Sequence, residues 1–174
     1  MIYTSQGPLT IRNIQEEDIQ AITDAEIEQG WNASPEKYRI RFQDHQSGKA
    51  ISLVAEYGGK PVGYINVYPD KSDGAFRGKG YPEIVDFGVL EKYRGRGIGT
   101  ALMDAAEKIA AEYGNVVCLG VGLHSGYGSA QRMYVKRGYI PDGSGVWYGD
   151  KICEPYKECK NDDDLILYFS KKLK

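Results

Sequence analysis

The pattern of hydrophobic and polar positions is clearest in residues 83–113, where it predicts a strand, a glycine-rich loop and a helix. The strand prediction rests on a short apolar run, made up of Ile84, Val85, Phe87, Val89 and Leu90. The helix prediction rests on apolar residues at helical spacing, which are Ile98, Leu102, Ala105, Ala106, Ile109 and Tyr113. Gly114 follows as a stop signal, so the helix is expected to end there.

The first fifty residues predict one strand followed by two helices. Residues 9–13 alternate as a strand does, and Asn13 precedes an acidic turn that suits a helix N-terminus. The inward face of this first helix is expected to consist of Ile19, Ile22 and Ile27. Ser34 and Pro35 are a favourable cap and first residue for a second helix, which is predicted to end near Gln46.

A β-hairpin is predicted over residues 51–68, because the pair Gly58-Gly59 supplies the positive φ angles that a tight hairpin turn needs. The polar loop that follows, residues 69–82, is longer than a hairpin connection requires. Two interpretations of this loop stay open at this point: a solvated insertion, or a lid over a substrate.

The remaining chain predicts a buried strand at residues 116–123 and a short helix at residues 129–137, with Ser129 as its cap and Gly138 at its end. The last forty residues predict two further strands with a long loop between them. The complete order is β-α-α-β-β-β-α-β-α-β-β. It predicts an α+β fold in a single domain, residues 1–174.

Composition excludes several classes of protein. The 174 residues carry a formal net charge of −2, which argues against a nucleic-acid partner. No apolar run is long enough to span a membrane and the N-terminus lacks signal-peptide features, so no membrane association is expected. The three cysteines are odd in number and lack Cys-x-x-Cys spacing, which predicts reduced thiols and a cytoplasmic location. With only two histidines, no metal site is expected.

The loop between the central strand and helix has the composition of an anion-binding turn. Gly95, Gly97 and Gly99 allow a bulky anion to approach the backbone, because no Cβ stands in the way. The helix that follows adds N–H groups and the positive end of its dipole. Arg94 and Arg96 add fixed charge and forked donors that suit phosphate. Together these residues predict a pyrophosphate site.

Two common phosphate-binding patterns do not fit this loop. Thr100 occupies the place of the third glycine of a dinucleotide fingerprint, and Ile98-Gly99-Thr100 lacks the lysine of a P-loop. The arrangement Arg94-x-x-Gly97-x-Gly99 instead resembles the loop with which the GNAT superfamily, the Gcn5-related N-acetyltransferases, holds the pyrophosphate of acetyl-CoA.

A second motif supports the same resemblance. The family pattern Asn-x-x-Ala-x-x-x-Tyr-x-x-x-Gly-Phe/Tyr is matched by Ala130, Tyr134, Gly138 and Tyr139, whereas Tyr127 stands in place of the asparagine. The resemblance implies that acetyl-CoA is bound by Val89, Leu90, Arg94, Gly95, Arg96, Gly97, Ile98, Gly99, Thr100, Tyr127 and Ala130. It also implies a GNAT-like fold, a mixed, mostly antiparallel twisted sheet of about seven strands flanked by about four helices, with a splayed central strand pair.

The resemblance also suggests residues for the chemistry. A glutamate at the spacing of Glu83 from the loop arginine is the general base of histone-acetylating members, and Asp86 is the alternative base on the same strand. Strand alternation places these two on opposite faces unless a β-bulge intervenes, and such a bulge is a family feature. Tyr134 occupies the position of the general acid that protonates the leaving thiolate. A backbone N–H of Val89 or Leu90 is expected to stabilise the oxyanion.

The implied function is acetyl transfer from acetyl-CoA to a primary amine of a small molecule by direct attack. A protein or peptide amine is the alternative acceptor, and a coenzyme A-binding sensor without activity is the alternative outside the enzymes. The acidic run at residues 162–164 is either an attractant for a cationic amine or a solvated face. Trp31, Trp147 and Tyr148 either line the acceptor pocket or pack. The sequence leaves open whether the protein forms a homodimer.

Overall fold

The computed structural model describes residues 1–70 and 74–173. Contacts divide the chain into two units, the first comprising Met1–Tyr68 with Ile84–Ile109 and the second comprising Pro69–Glu83 with Ala110–Lys174. The single domain expected from the sequence remains a prediction. Within the described residues, no helix has the length and apolar character required to cross a bilayer.

The first five strands are neighbours in chain order, and all of their residues except Glu83 belong to the first unit. Their bounds are β1 Ile2–Gln6, β2 Leu9–Asn13, β3 Ile51–Tyr57, β4 Lys60–Tyr68 and β5 Glu83–Val89. The first four pair antiparallel, and the predicted hairpin is present, with Tyr57 opposite Lys60 and both turn glycines at positive φ. Strand β1 was not predicted, because its polar, largely exposed residues have no clear apolar alternation.

The four helices are α1 Glu16–Glu28, α2 Pro35–Gln46, α3 Ile98–Tyr113 and α4 Gly128–Lys136. The N-cap of helix α1 is Gln15, whose N–H donates to Asp18 Oδ2 at 2.7 Å, and the predicted acidic first turn follows it. Helix α2 follows the prediction, with the Ser34 hydroxyl accepting the Glu36 N–H at 3.3 Å. Helix α4 begins one residue earlier than predicted, and no side-chain hydrogen bond caps it.

The inward face of α1 differs from the prediction at one position. Ile19 and Ile22 are buried in a cluster with Tyr38 and Tyr64, but Ile27 is 55% exposed. Residue 26 follows residue 22 at the i,i+4 spacing of one helix face, so Glu26 and not Ile27 points inward. A carboxylate therefore enters the core of the first unit.

In α3 the predicted apolar face is confirmed from Ile98 to Ile109, but Tyr113 is half exposed at the end of the helix. Gly114 donates its N–H to Ala110 O at 3.0 Å, which continues the helical pattern for one residue before the chain turns.

The second unit holds four antiparallel strands in the spatial order β6, β9, β7, β8. Their bounds are β6 Val116–Gly122, β7 Ile140–Tyr148, β8 Lys151–Ile152 and β9 Leu165–Lys172. The sequence predicted only two strands in the last forty residues, because β8 has two residues and carries no readable period.

The predicted loop after β4 is not a purely solvated insertion. Phe76 is buried and packs against Tyr81 and Tyr168 of the same unit. Residues 71–73 of this predicted loop lie outside the described residues.

The prediction of reduced thiols is wrong for two of the three cysteines. Cys153 and Cys159 form a disulfide that closes a short loop between β8 and β9, while Cys118 is free and buried. An odd count and an absent Cys-x-x-Cys motif do not forbid a local pair six residues apart. The predicted cytoplasmic location therefore loses its cysteine argument.

The predicted fold class, an α+β arrangement of mostly antiparallel strands with four helices, is confirmed. The described residues form nine strands in place of the expected seven, the additional ones being β1 and β8.

Candidate active site

The glycine-rich turn has the backbone geometry that the sequence indicated. Gly95 and Gly97 have φ angles of 75° and 78°, in the left-handed region that other residues seldom adopt. Gly97 O accepts the N–H of Ala101 at 3.0 Å, so Gly97 caps α3. At Gly99 a Cβ would lie 3.2 Å from the Phe87 ring, which is closer than an ordinary van der Waals contact and favours glycine.

This turn suits a pyrophosphate. The first N–H groups of a helix have no intrahelical acceptor, and in α3 these belong to Ile98, Gly99 and Thr100. Nothing lies within 4 Å of where a Cβ at Gly95 or Gly97 would be, so the outer side of the turn is open. The residues present therefore fit the group that the family resemblance implies.

The two arginines of the turn are held by aromatic rings. The Arg94 guanidinium lies 5.6 Å from the centre of the Trp31 ring, and its Nε donates to Val89 O at 3.3 Å. Arg96 lies 5.4 Å from Tyr57 and 5.6 Å from Tyr93. Such cation–π contacts limit the freedom of both side chains. Trp31, which the sequence left between packing and ligand contact, packs against Arg94.

Of the two amides predicted for the oxyanion, one is engaged within the sheet. The Leu90 N–H donates to Val62 O at 2.9 Å and is therefore part of the sheet, so its assignment to the oxyanion is wrong. Because successive N–H groups of a strand point to opposite edges, the Val89 N–H points to the edge of β5 that faces away from β4.

Strand β5 contains the irregularity that the family resemblance implied. Asp86 has a φ angle of 50°, and the Asn66 amide donates to the carbonyls of both Val85 and Asp86, at 3.1 and 3.3 Å. A positive φ inside a strand, together with two consecutive carbonyls that accept from one amide, is the local sign of a β-bulge. The alternation that separated Glu83 from Asp86 therefore does not hold across it.

The two candidate bases have different surroundings. The Asp86 carboxylate accepts from Arg41 Nε at 2.7 Å, with Arg41 Nη2 at 2.5 Å and Lys37 Nζ at 4.0 Å. Burial acts to lower the pKa of Arg41, but the charges and hydrogen bonds of Asp86 and Tyr68 together outweigh it and the pKa is raised. Glu83, the first residue of β5, is 8% exposed and grouped with the second unit.

Tyr134 is buried on α4, at 6% exposure, with its ring 5.7 Å from that of Tyr139. Burial raises the pKa of Tyr134 above its ordinary value of 10, and the nearby Tyr127 adds to the shift. The phenol therefore keeps its proton at neutral pH, as a general acid must. Ala130 lies one helical turn earlier on the same helix.

Tyr127, at the position of the family asparagine, is fixed by its neighbours. Its hydroxyl donates to Asp163 Oδ1 at 2.8 Å, and its ring meets the His124 ring edge-on at 4.6 Å. His124 Nδ1 accepts the Gly126 N–H at 3.1 Å, so Nε2 carries the proton that points to Asp163 at 3.0 Å. His124 and then Tyr127 lower the pKa of Asp163.

The acidic run near the C-terminus is engaged within the second unit. Asp163 has the partners just described, and Asp162 contacts Lys160 at 3.1 Å and Tyr148 at 3.2 Å. Trp147 donates to Ser144 Oγ at 2.7 Å and packs on Tyr168, so its role is packing. These contacts weaken the hypothesis that the run attracts a cationic amine.

Sequence reasoning missed a buried polar cluster in the first unit. Glu26 accepts hydrogen bonds from the hydroxyls of Tyr38 and Tyr64, the latter at 2.7 Å. Lys37 Nζ lies over both rings and 3.3 Å from the Tyr64 hydroxyl. Burial is the largest cause that raises the pKa of both tyrosines. The i, i+3, i+7 spacing of residues 19, 22 and 26, which places them on one helix face, was the available signal.

The sequence profile of the acetyltransferase (GNAT) family matches residues 16–139. Because this match covers more than half of the chain, the protein belongs to the GNAT acetyltransferase family. The predicted family and the predicted class of enzyme, an acetyltransferase, are thereby confirmed. No curated protein matches the chain.

Several solved structures have the same fold at low sequence identity. YncA from Salmonella typhimurium, solved with its cofactor acetyl-CoA, is 19% identical, with 97% of this chain and 95% of that chain covered and a TM-score of 0.67. The ribosomal-protein-alanine N-acetyltransferase from Brucella melitensis is 21% identical, with 93% and 98% covered and a TM-score of 0.66. Arabidopsis thaliana Naa50 with the bisubstrate analogue CoA-Ac-MVNAL is 18% identical, with 95% and 99% covered and a TM-score of 0.64.

Proposed function

We propose that the protein transfers the acetyl group of acetyl-CoA to a primary amine of a small molecule. The observation that carries this proposal is the left-handed Gly95–Gly97 turn at the start of α3, flanked by Arg94 and Arg96 on their aromatic supports. Such a turn offers several N–H groups and fixed charge to one anion, which suits the pyrophosphate of the donor.

The remaining residues divide the chemistry among them. Acetyl-CoA supplies an activated acetyl group as a thioester. Glu83, directly or through a water molecule, accepts the proton that the amine must lose before it attacks. The Val89 N–H donates to the carbonyl oxygen as negative charge develops there, and the Tyr134 hydroxyl gives a proton to the departing thiolate.

Direct attack, without a covalent enzyme intermediate, is supported by the surroundings of the free cysteine. Cys118 is 1% exposed, and its thiol and its N–H both point to Pro82 O, at 3.6 and 3.0 Å. A buried thiol held in a core in this way is a poor nucleophile.

A protein or peptide N-terminus is the second candidate acceptor. It is favoured by the neighbours named above, of which one is a ribosomal-protein-alanine N-acetyltransferase and another is bound to a peptidyl bisubstrate analogue. The low identities support the fold and leave the acceptor open.

Two measurements test the proposal. Acetyl-CoA at 100 times its Kd should raise the unfolding free energy by about 2.7 kcal/mol. Arg94→Ala should weaken this binding, whereas Arg39→Ala, on the exposed face of α2, should not. An absence of stabilisation by acetyl-CoA would refute the donor assignment.

Thiol release then identifies the acceptor. Small primary amines should release coenzyme A at rates well above that of buffer hydrolysis, and a peptide with a free N-terminus should not. Faster turnover of the peptide would favour the second candidate, and stabilisation by acetyl-CoA without turnover of any amine would indicate a binding protein.

A further inference from the structure

The backbone of β5 is held in an unfavourable conformation at one residue. Within residues 1–70 and 74–173, the only non-glycine residues with positive φ are Asp86 and Tyr156, and Asp86 alone lies inside a strand. Side chains with a Cβ seldom adopt this region, and they remain there only when surrounding contacts hold them.

One of these contacts comes from the neighbouring strand. Asn66 on β4 is 2% exposed, and its Nδ2 donates to Val85 O at 3.1 Å and to Asp86 O at 3.3 Å. In a regular strand, successive carbonyls point to opposite edges. Here both turn toward β4, and a single buried amide satisfies them. The Asn66 side chain therefore supplies a donor to both carbonyls of this irregular segment.

A second contact fixes the Asp86 side chain. Arg41 on α2 places Nε 2.7 Å and Nη2 2.5 Å from Asp86 Oδ2, while Lys37 Nζ is 4.0 Å from Oδ1. Arg41 is itself held by the Tyr68 hydroxyl, which donates to Asp44 at 2.6 Å. The carboxylate is thus directed toward α2 and occupied by a guanidinium.

The bulge determines which amides of β5 point away from β4. After it, the Leu90 N–H donates to Val62 O, which places the N–H groups of Phe87 and Val89 on the opposite edge. A regular strand from Glu83 onward would shift this alternation by one residue, and the amides of Gly88 and Leu90 would point to that edge instead.

We propose that Asn66 and Arg41 are positioning residues that hold the bulge at Asp86, and we call their contacts with this segment the clamp. Asp86 takes part through its ion pair with Arg41 and does not act as a proton acceptor. The clamp keeps the Val89 amide directed at the thioester carbonyl. This inference rests on the proposed acetyl transfer, and it assigns the base to Glu83 alone.

Substitutions at residue 86 separate the two roles of Asp86. Glycine adopts φ near 50° without steric penalty, whereas alanine does not. Asp86→Gly should therefore keep kcat within about threefold of the wild type, and Asp86→Ala should lose at least about tenfold. Equal, large losses in both variants would show that the carboxylate itself is needed, and would overturn the proposal.

Substitutions of the clamp provide the rescue test. Arg41→Met and Asn66→Leu should lower kcat by about tenfold with little change in the KM for acetyl-CoA. Adding Asp86→Gly to Arg41→Met should restore most of the loss, because glycine holds the bulge without the ion pair. Arg39→Met, on the exposed face of the same helix, is the matched control. A double variant as slow as Arg41→Met would contradict the clamp.

A readout independent of activity distinguishes failure of the clamp from failure of the proposed function. Urea midpoints should rank wild type above Asp86→Gly and Asp86→Gly above Asp86→Ala, and amide exchange in residues 84–89 should accelerate most in Asp86→Ala. A wild type that transfers no acetyl group would refute the function while this ranking still tests the clamp. The reverse ranking would refute the clamp in an active enzyme.

Discussion

Tyr134 shows how burial can suit one side chain to one chemical task. Its raised pKa comes first from the loss of water around the hydroxyl, so the proton stays on the phenol throughout the neutral range. The same ring packs on Tyr139 and contributes to the core of its unit. A substitution must therefore remove the hydroxyl and keep the ring if it is to report on chemistry.

We expect Tyr134→Phe to lower kcat by roughly 10²- to 10⁴-fold, the usual contribution of a positioned acid. The KM for acetyl-CoA should change little, because the ring remains. Tyr139→Phe, a hydroxyl removal at the neighbouring buried tyrosine, serves as the control for steady-state assays. Normal turnover by Tyr134→Phe would exclude it as the acid.

Alkaline pH should destabilise the fold because burial raises the pKa of several tyrosines. The folded-state pKa values of Tyr38, Tyr64 and Tyr134 are all raised, so the folded protein retains protons that the unfolded chain loses above pH 10. The contribution of these tyrosines to the free energy of unfolding is thus fully present below about pH 10. Above that pH it should fall by about 1.4 kcal/mol per pH unit for each tyrosine.

Urea unfolding between pH 8 and pH 11 measures this effect. The unfolding free energy of Tyr134→Phe should fall less steeply with pH than that of the wild type. Tyr156→Phe, at a fully exposed position, should follow the wild type. Identical slopes in the wild type and Tyr134→Phe would argue against a raised pKa at this tyrosine.

At the scale of elements, the start of α3 combines a backbone constraint with a binding function. Gly97 adopts a left-handed conformation and caps the helix. The backbone N–H groups of the three residues that follow it are the ones we assign to pyrophosphate binding. Gly48, at the end of α2, has a similar φ of 75° and lies outside the candidate site. The two glycines therefore share the backbone requirement and differ in the proposed function.

Gly97→Ala and Gly48→Ala should each cost about 1 to 2 kcal/mol of unfolding free energy, because both force a Cβ into the left-handed region. Only Gly97→Ala should also raise the Kd for acetyl-CoA, by on the order of tenfold, since its turn presents the helix N–H groups. Calorimetric titration of both variants tests this. Equal Kd values for the two variants would refute the pyrophosphate assignment.

At the scale of the whole molecule, the disulfide is the covalent feature that the sequence did not suggest. It closes a loop of seven residues that ends just before the aspartates holding Tyr127 and Tyr148. Closing a loop of this length stabilises a fold by restricting the unfolded chain.

Replacing both cysteines by serine should lower the unfolding free energy by about 2 kcal/mol. Wild-type protein in a reducing agent should unfold at the same urea concentration as the double variant, and the agent should leave the variant unaffected. If reductant does not change wild-type unfolding, the bond makes no contribution to stability.

Most of the helices and strands could be predicted because the residues that define each of them are close together in the sequence. Residues 83–113 show the clearest case, where an apolar run, glycines and helical spacing gave strand, turn and helix as found. The errors also have local causes: β1 and β8 carry little apolar period, and Ile27 was preferred to Glu26 because an isoleucine is more often buried than a glutamate.

The candidate site divides in the same way. The sequence by itself determined the family, the glycine turn and the position of Tyr134, since these depend on residues close together along the chain. Only the tertiary structure showed the Glu26 cluster, the engaged Leu90 amide and the Arg41–Asp86–Asn66 contacts. Those join residues 12 to 45 positions apart, and such contacts depend on which surfaces the folded chain brings together.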